Sequence, residues 1–89
     1  MNKEELKIAL DKEGIHPHYY SLNGLQGGPY DGTSILDKEG NKWLVYYFER
    51  GEKWDMHVFD TEDEACRFFL KWISSDPMTR QFENGQTRK

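Results

Sequence analysis

The sequence predicts an α+β fold in which a three-stranded antiparallel meander is packed on one face by an N-terminal and a C-terminal helix. Three strand-like runs lie between two segments whose apolar residues recur at helical spacing. Two glycine-bearing turns, Lys-Glu-Gly-Asn and Arg-Gly-Glu-Lys, separate the runs, which is the spacing of consecutive hairpins. With 89 residues, we expect a single domain with one core.

The N-terminal helix is predicted over residues 3–13. Asn2 can cap it, and Glu5 stands at the third helical position, so the two can form a capping box. Gly14 follows as a typical helix terminator. The apolar stripe of this helix consists of Leu6, Ala9 and Leu10.

A glycine-rich loop is predicted over residues 15–32. Pro17 and Pro29 each move the preceding residue away from helical geometry. We expect a short extended piece near 19–22 whose Tyr19, Tyr20 and Leu22 contribute to the core. A loop of this length is uncommon in a small domain.

Three strands are predicted over residues 33–38, 42–50 and 53–59. The middle run is apolar at successive positions, which favours a central place in the sheet. If Gly51 and Glu52 form a type II′ turn, Val45 faces Val58 and the two faces of the second hairpin can be assigned.

One of these faces is predicted to form the core and the other to remain open. The core face, beneath the helices, carries Trp43, Val45, Tyr47, Trp54, Met56 and Val58. The open face carries Leu44, Tyr46, Phe48, Arg50, Lys53, Asp55, His57 and Phe59. Trp54→Ala should then cost about 3 kcal/mol as a core deletion. A one-residue slip would exchange the faces, and the alternative is that the glycine-rich loop covers the second face.

The C-terminal helix is predicted over residues 62–74, with Thr61 as its cap and Glu64 at the third helical position. Its apolar face comprises Ala65, Phe69, Trp72 and Ile73. A polar tail follows over residues 76–89, and its start can form one further helical turn.

The composition excludes several classes of function. The net charge of −4 and pI near 5.3 argue against a nucleic-acid surface and suit a basic partner. The single cysteine forms no internal disulfide, and the start of the chain lacks the apolar stretch of a secretory signal. With no run long enough to cross a membrane, we expect a cytoplasmic protein without membrane partners.

No group of side chains predicts catalysis, a metal site or a cofactor. His16 and His18 flank Pro17, but no third ligand stands at metal-binding spacing. Cys66 lies within a predicted helix, where a buried structural thiol is the usual role. We therefore expect a protein that is not an enzyme and that carries no cofactor.

Four segments together resemble the small immunity proteins of bacterial polymorphic toxin and contact-dependent inhibition systems. They read NKEELKIAL, YYSLNG, NKWLVYYFERG and FDTEDEACRFFLKWI, and the likeness spans most of residues 2–73. The resemblance implies a short, non-catalytic cytosolic protein that binds one toxin domain and blocks its active site or its access to a target. Many such toxins are nucleases with basic surfaces, which an acidic inhibitor would meet with favourable electrostatics.

The leading hypothesis is therefore an immunity protein that binds its toxin through the open sheet face and nearby acids. The candidate partner-binding residues are Tyr46, Phe48, Glu49, Glu52, Asp55, His57, Glu62 and Asp63. The alternative is a regulatory module that binds a peptide or protein through its sheet. A single-stranded nucleic-acid binder would use the same rings but lacks the basic groove that usually accompanies them.

Overall fold

The computed structural model describes residues 1–26 and 31–75 and shows a helix, a four-stranded mixed sheet and a second helix. The elements are α1 (Lys3–Lys12), a 3₁₀ turn (Pro17–Tyr19), β1 (Tyr20–Ser21), β2 (Thr33–Glu39), β3 (Lys42–Glu49), β4 (Glu52–Phe59) and α2 (Glu62–Ser74). The strands lie in the order β1-β2-β3-β4. The predicted α+β class is confirmed, but the prediction of three antiparallel strands is wrong.

The additional strand, β1, comes from the segment predicted to be a loop. It pairs in parallel with β2, placing Tyr20 opposite Ser34 and Ser21 opposite Ile35. Two residues are too few to show the alternation by which a strand is recognised in a sequence. The prediction of a short extended piece near 19–22 located it, but did not reveal that it joins the sheet.

Both helices begin with the predicted caps. The Asn2 side chain accepts a hydrogen bond from the Glu5 backbone N–H, and the capping box is complete. Thr61 caps α2 in a similar way, accepting from the N–H of Glu64. The second helix has the predicted bounds, whereas α1 ends at Lys12, one residue before the predicted end. The predicted helical turn after Ser75 and the polar tail lie outside the described residues.

The main core lies between the helices and one face of the sheet. Val45 and Leu36 are opposite each other on adjacent strands, and both are fully buried beneath the helices. The other buried members are Leu6, Leu10, Ile15, Tyr20, Ala65, Cys66, Phe69 and Ile73. Ile15 and Tyr20, which flank the 3₁₀ turn, anchor this part of the chain to the core.

A second, smaller cluster occupies the opposite face of the sheet. Ile35 and Tyr46 are fully buried, Leu44 is 6% exposed, and Phe48 packs partly buried against them. The prediction that this face is open is therefore wrong for Leu44 and Tyr46.

The described part of the long loop closes onto the same side of the sheet at Gly24. Its N–H donates to the Leu36 carbonyl at 2.9 Å, and its φ is +64°. A Cβ at this position would lie 2.5 Å from Oδ1 of Asp37, so another residue would have to displace that carboxylate and adopt a strained backbone. Gly24 therefore lies beside Asp37, whose carboxylate also accepts from Tyr46, while residues 27–30 of the predicted loop lie outside the described residues.

The β3–β4 hairpin has a different turn and register from those predicted. Arg50 and Gly51, not Gly51 and Glu52, are the two loop residues, and both have positive φ, as a type I′ turn requires. Glu49 therefore faces Glu52. Further along, Tyr47 faces Trp54 but Val45 faces His57, so Tyr46 stands against two residues of β4.

This β-bulge reverses the faces of the second half of β4. His57 and Phe59 pair with Val45 and Trp43 and lie on the helix-covered face. The predicted core residues of β4 are instead exposed: Trp54 by 50%, Met56 by 44% and Val58 by 57%. One extra residue in a strand shifts every later side chain to the other face.

No helix within the described residues is long and apolar enough to cross a membrane.

Candidate protein-binding surface

The outer side of β4 forms the most prominent apolar surface of the described chain. In that part of the chain β4 pairs only with β3, so it is an edge strand with one side unpaired. Trp54, Met56 and Val58 stand exposed along it, and we call these three residues with their strand the β4 edge. Exposed apolar side chains on an unpaired strand are a liability unless a partner covers them.

The exposed side chains of the β4 edge lie on both faces of the sheet. Trp54 pairs with Tyr47 and so projects from the face that also carries Val45. Val58 pairs with Leu44 and projects from the opposite face, together with Met56 two residues earlier. The bulge between them causes this division, because without it the three side chains would share one face.

Two strained backbone positions flank Trp54. Arg50 and Asp55 have φ values of +55° and +54°, and within the described residues they are the non-glycine positions with positive φ. Such conformations cost stability in L-residues and are found preferentially where function requires them. Asparagine would suit the first position of this turn better than arginine.

Three carboxylates surround the same stretch, and we call Glu49, Glu52 and Asp55 the acidic rim. None of them forms an ion pair within 4.0 Å among the described residues. Glu49 and Glu52 stand directly opposite each other across the hairpin, a mutually repulsive arrangement. The segment 49–55 therefore carries three carboxylates against the two cations Arg50 and Lys53, a small excess of negative charge beside Trp54.

Two of the predicted partner-binding residues belong to the second cluster. The Tyr46 hydroxyl donates to Oδ2 of Asp37 at 2.9 Å, and the Lys53 ammonium lies 5.2 Å from the centre of its ring. Burial, reinforced by the Asp37 carboxylate, raises the pKa of Tyr46. Tyr46 is inaccessible to a partner, and Phe48 is half-buried beside it.

His57 and the acids of α2 are engaged within the fold. The His57 ring lies 4.5 Å from that of Phe68 and 5.9 Å from that of Trp72, between the sheet and α2. Glu62 accepts a hydrogen bond from the Lys3 backbone N–H at 3.0 Å, which joins the starts of the two helices. These contacts place His57 and Glu62 away from the exposed side of β4.

Asp63 also makes internal contacts, accepting from Arg67 Nε at 2.7 Å and pairing with the Met1 amino group. The amino group first, and Arg67 second, lower the pKa of Asp63. Of the eight residues predicted from the sequence, the structure brings together Glu49, Glu52 and Asp55. Met56 and Val58 were missed because the bulge that moves them to the other face leaves no glycine in β4 to indicate it. Trp54 lies on the predicted face but is half exposed there, which its place in the sequence did not reveal.

The described residues form no metal-binding group, and the cysteine among them is buried. They contain no group of three or more His, Cys, Asp or Glu side chains able to hold a metal ion. Cys66 is fully buried, and burial followed by the nearby Glu62 raises the pKa of its thiol to about 11, which opposes reactivity.

Comparisons of the chain with protein-family models, curated proteins and solved structures gave no match. The assignment of the surface therefore relies on the geometry of the β4 edge.

Proposed function

We propose that the chain is an immunity protein that binds a cognate bacterial toxin domain and blocks its active site or its access to substrate. The observation that carries the proposal is the β4 edge, where three large apolar side chains remain exposed on a strand that pairs on one side only within the described residues. A half-exposed tryptophan contributes little to the stability of a small domain, whereas covering its ring with a partner would contribute to the free energy of binding. The resemblance of four sequence segments to such immunity proteins supplies the class of partner.

The charge of the molecule favours the same kind of partner. The acidic rim is unpaired among the described residues, and the whole chain carries a net charge of −4. Toxins that act on nucleic acids carry basic substrate-binding surfaces. An acidic inhibitor would be steered to such a surface and associate quickly, and the bound inhibitor would exclude the substrate.

A second candidate is a regulatory module that binds a peptide or protein through its sheet without neutralising a toxin. The place of β4 at the edge of the described sheet favours it, since strand addition to a sheet edge is a common mode of peptide recognition. The two candidates share a surface and differ in the consequence of binding.

Co-expression with the toxin domain encoded immediately upstream separates these candidates. We expect the wild-type chain to restore growth and to elute with the toxin in gel filtration. A toxin that kills equally well in its presence, without forming a complex, would contradict the immunity function. A complex that leaves toxicity unchanged would favour the regulatory module.

A further inference from the structure

We propose that the β4 edge binds its partner by strand addition, and that the added segment is extended and basic. The inference rests on the proposed function and specifies the contact surface, the conformation of the partner segment and its charge.

The distribution of the exposed apolar residues favours a strand as the occupant. Trp54 projects from one face of the sheet, and Met56 and Val58 project from the other. A helix or globular surface docked on either face would cover only one of these groups. A strand added in the plane of the sheet alternates its own side chains and so contacts both groups at once.

The bulge defines the segment to which a strand can add. The ladder between β3 and β4 is regular from His57 to Phe59 and from Glu52 to Trp54, with the irregularity between them. A bulge interrupts pairing along an edge and is one of the ways in which proteins prevent unspecific edge association. The partner segment is therefore expected to pair mainly with residues 57–59 and to reach Trp54 beyond the bulge.

The charge of the partner segment follows from the acidic rim. Glu52 and Asp55 belong to β4, Glu49 faces Glu52, and none of these carboxylates has a cationic partner within 4.0 Å in the described chain. The same charges disfavour a second copy of this chain, because its β4 carries two carboxylates and one lysine and so would bring no basic segment to the rim. Lysine or arginine side chains alternating with apolar ones would satisfy both the rim and the exposed side chains.

The test is an NMR titration of ¹⁵N-labelled protein at low salt. One titration uses a peptide of alternating lysine and valine with blocked termini, and the other uses a peptide of alternating glutamate and valine. We expect the basic peptide to shift the β4 amides and the Trp54 indole N–H saturably, and the acidic peptide to leave them in place. Neutralising the rim with Glu49→Gln, Glu52→Gln and Asp55→Asn should weaken binding about tenfold.

Matched variants distinguish specific binding at the β4 edge from nonspecific hydrophobic binding. Trp54→Ala should weaken binding about fivefold or more, whereas Ile8→Ala, at an equally exposed apolar residue of α1, should leave it unchanged. Equal shifts with both peptides, shifts centred on α1, no binding, or concentration-dependent β4 shifts without peptide would each overturn the inference. The growth assay tests the function separately, since a toxin can be neutralised whether or not these peptides bind β4.

Discussion

At the scale of single residues, two buried tyrosines differ in whether their hydroxyl groups have a hydrogen-bond partner. Tyr46 donates to Asp37, while the Tyr20 hydroxyl has no hydrogen-bond partner among the described residues. Burial, together with the Asp11 carboxylate, raises the pKa of Tyr20. A buried hydroxyl without a hydrogen-bond partner destabilises the folded state, whereas a hydroxyl that is hydrogen-bonded to a carboxylate stabilises it.

Removing the two hydroxyl groups should therefore have opposite effects. We expect Tyr20→Phe to raise the free energy of unfolding by about 1 kcal/mol and Tyr46→Phe to lower it by about 1 to 2 kcal/mol. Urea denaturation of both variants and the wild type provides the measurement. A loss of stability in Tyr20→Phe would show that its hydroxyl is hydrogen-bonded in solution.

The raised pKa of Tyr46 also predicts how stability depends on pH. In the unfolded chain this phenol ionises near pH 10, but in the folded state it stays neutral to higher pH. Its contribution is complete below the unfolded pKa and is lost as the pH rises towards the folded pKa. Between about pH 10 and 11, stability should fall more steeply in the wild type than in Tyr46→Phe. Parallel pH profiles from denaturation at fixed ionic strength would contradict this account.

At the scale of the element, the β3–β4 hairpin sets the faces of the sheet through its turn and its bulge. Arg50 occupies a left-handed position in a type I′ turn, and its N–H also donates to Oδ1 of Asp31 at 3.2 Å. The turn sets the register at one end, and the bulge at Asp55 changes it farther along β4. These two devices decide which apolar side chains of β4 are buried.

The strain at Arg50 can be relieved by substitution. We expect Arg50→Asn to raise the free energy of unfolding by about 0.5 to 1 kcal/mol, because asparagine tolerates the left-handed region. Arg50→Ala is the control, since it removes the same charge but retains the strain. If thermal melts showed the same gain for both variants, the cause would be the loss of charge and not backbone strain.

The same hairpin shows how far the sequence could predict the structure. Thr61 and Glu64 correctly indicated the start of α2, because capping depends on a few adjacent residues. Gly51 was recognised as a turn residue, but its neighbour in the loop was chosen on the wrong side. The bulge at Asp55 carries no glycine and depends on tertiary contacts, so pairing rules alone placed Met56 and Val58 in the core. Glu49, Glu52 and Asp55 stay predicted partner-binding residues, whereas the prediction that Trp54, Met56 and Val58 are core residues is wrong.

At the scale of the whole molecule, the buried cores and the proposed binding surface lie in different parts of the chain. Helix α2 lies on one face of the sheet and supplies Phe69, which is fully buried in the main core. The second cluster of Ile35, Leu44 and Tyr46 is buried on the opposite face. β4 carries the large exposed apolar side chains of the described sheet, Trp54 on the helix-covered face and Met56 and Val58 on the other.

This division predicts which aromatic residues stabilise the fold. Phe69→Ala should lower the free energy of unfolding by about 3 kcal/mol or more, while Trp54→Ala should lower it by about 1 kcal/mol. The indole N–H of Trp54 reaches only the Glu49 carbonyl at 3.4 Å, a long hydrogen bond. Guanidinium denaturation of the two variants checks this, and a loss of about 3 kcal/mol in Trp54→Ala would restore the core role predicted from the sequence.

The central claim is that the β4 edge is the surface through which the protein binds its partner, and calorimetric titration against the upstream-encoded toxin domain tests it most directly. Trp54→Ala should raise the dissociation constant by about tenfold or more, as expected for a central aromatic contact, while Ile8→Ala should bind like the wild type. If Trp54→Ala binds as tightly as the wild type, or if Ile8→Ala is the variant that loses affinity, the β4 edge is not the binding surface.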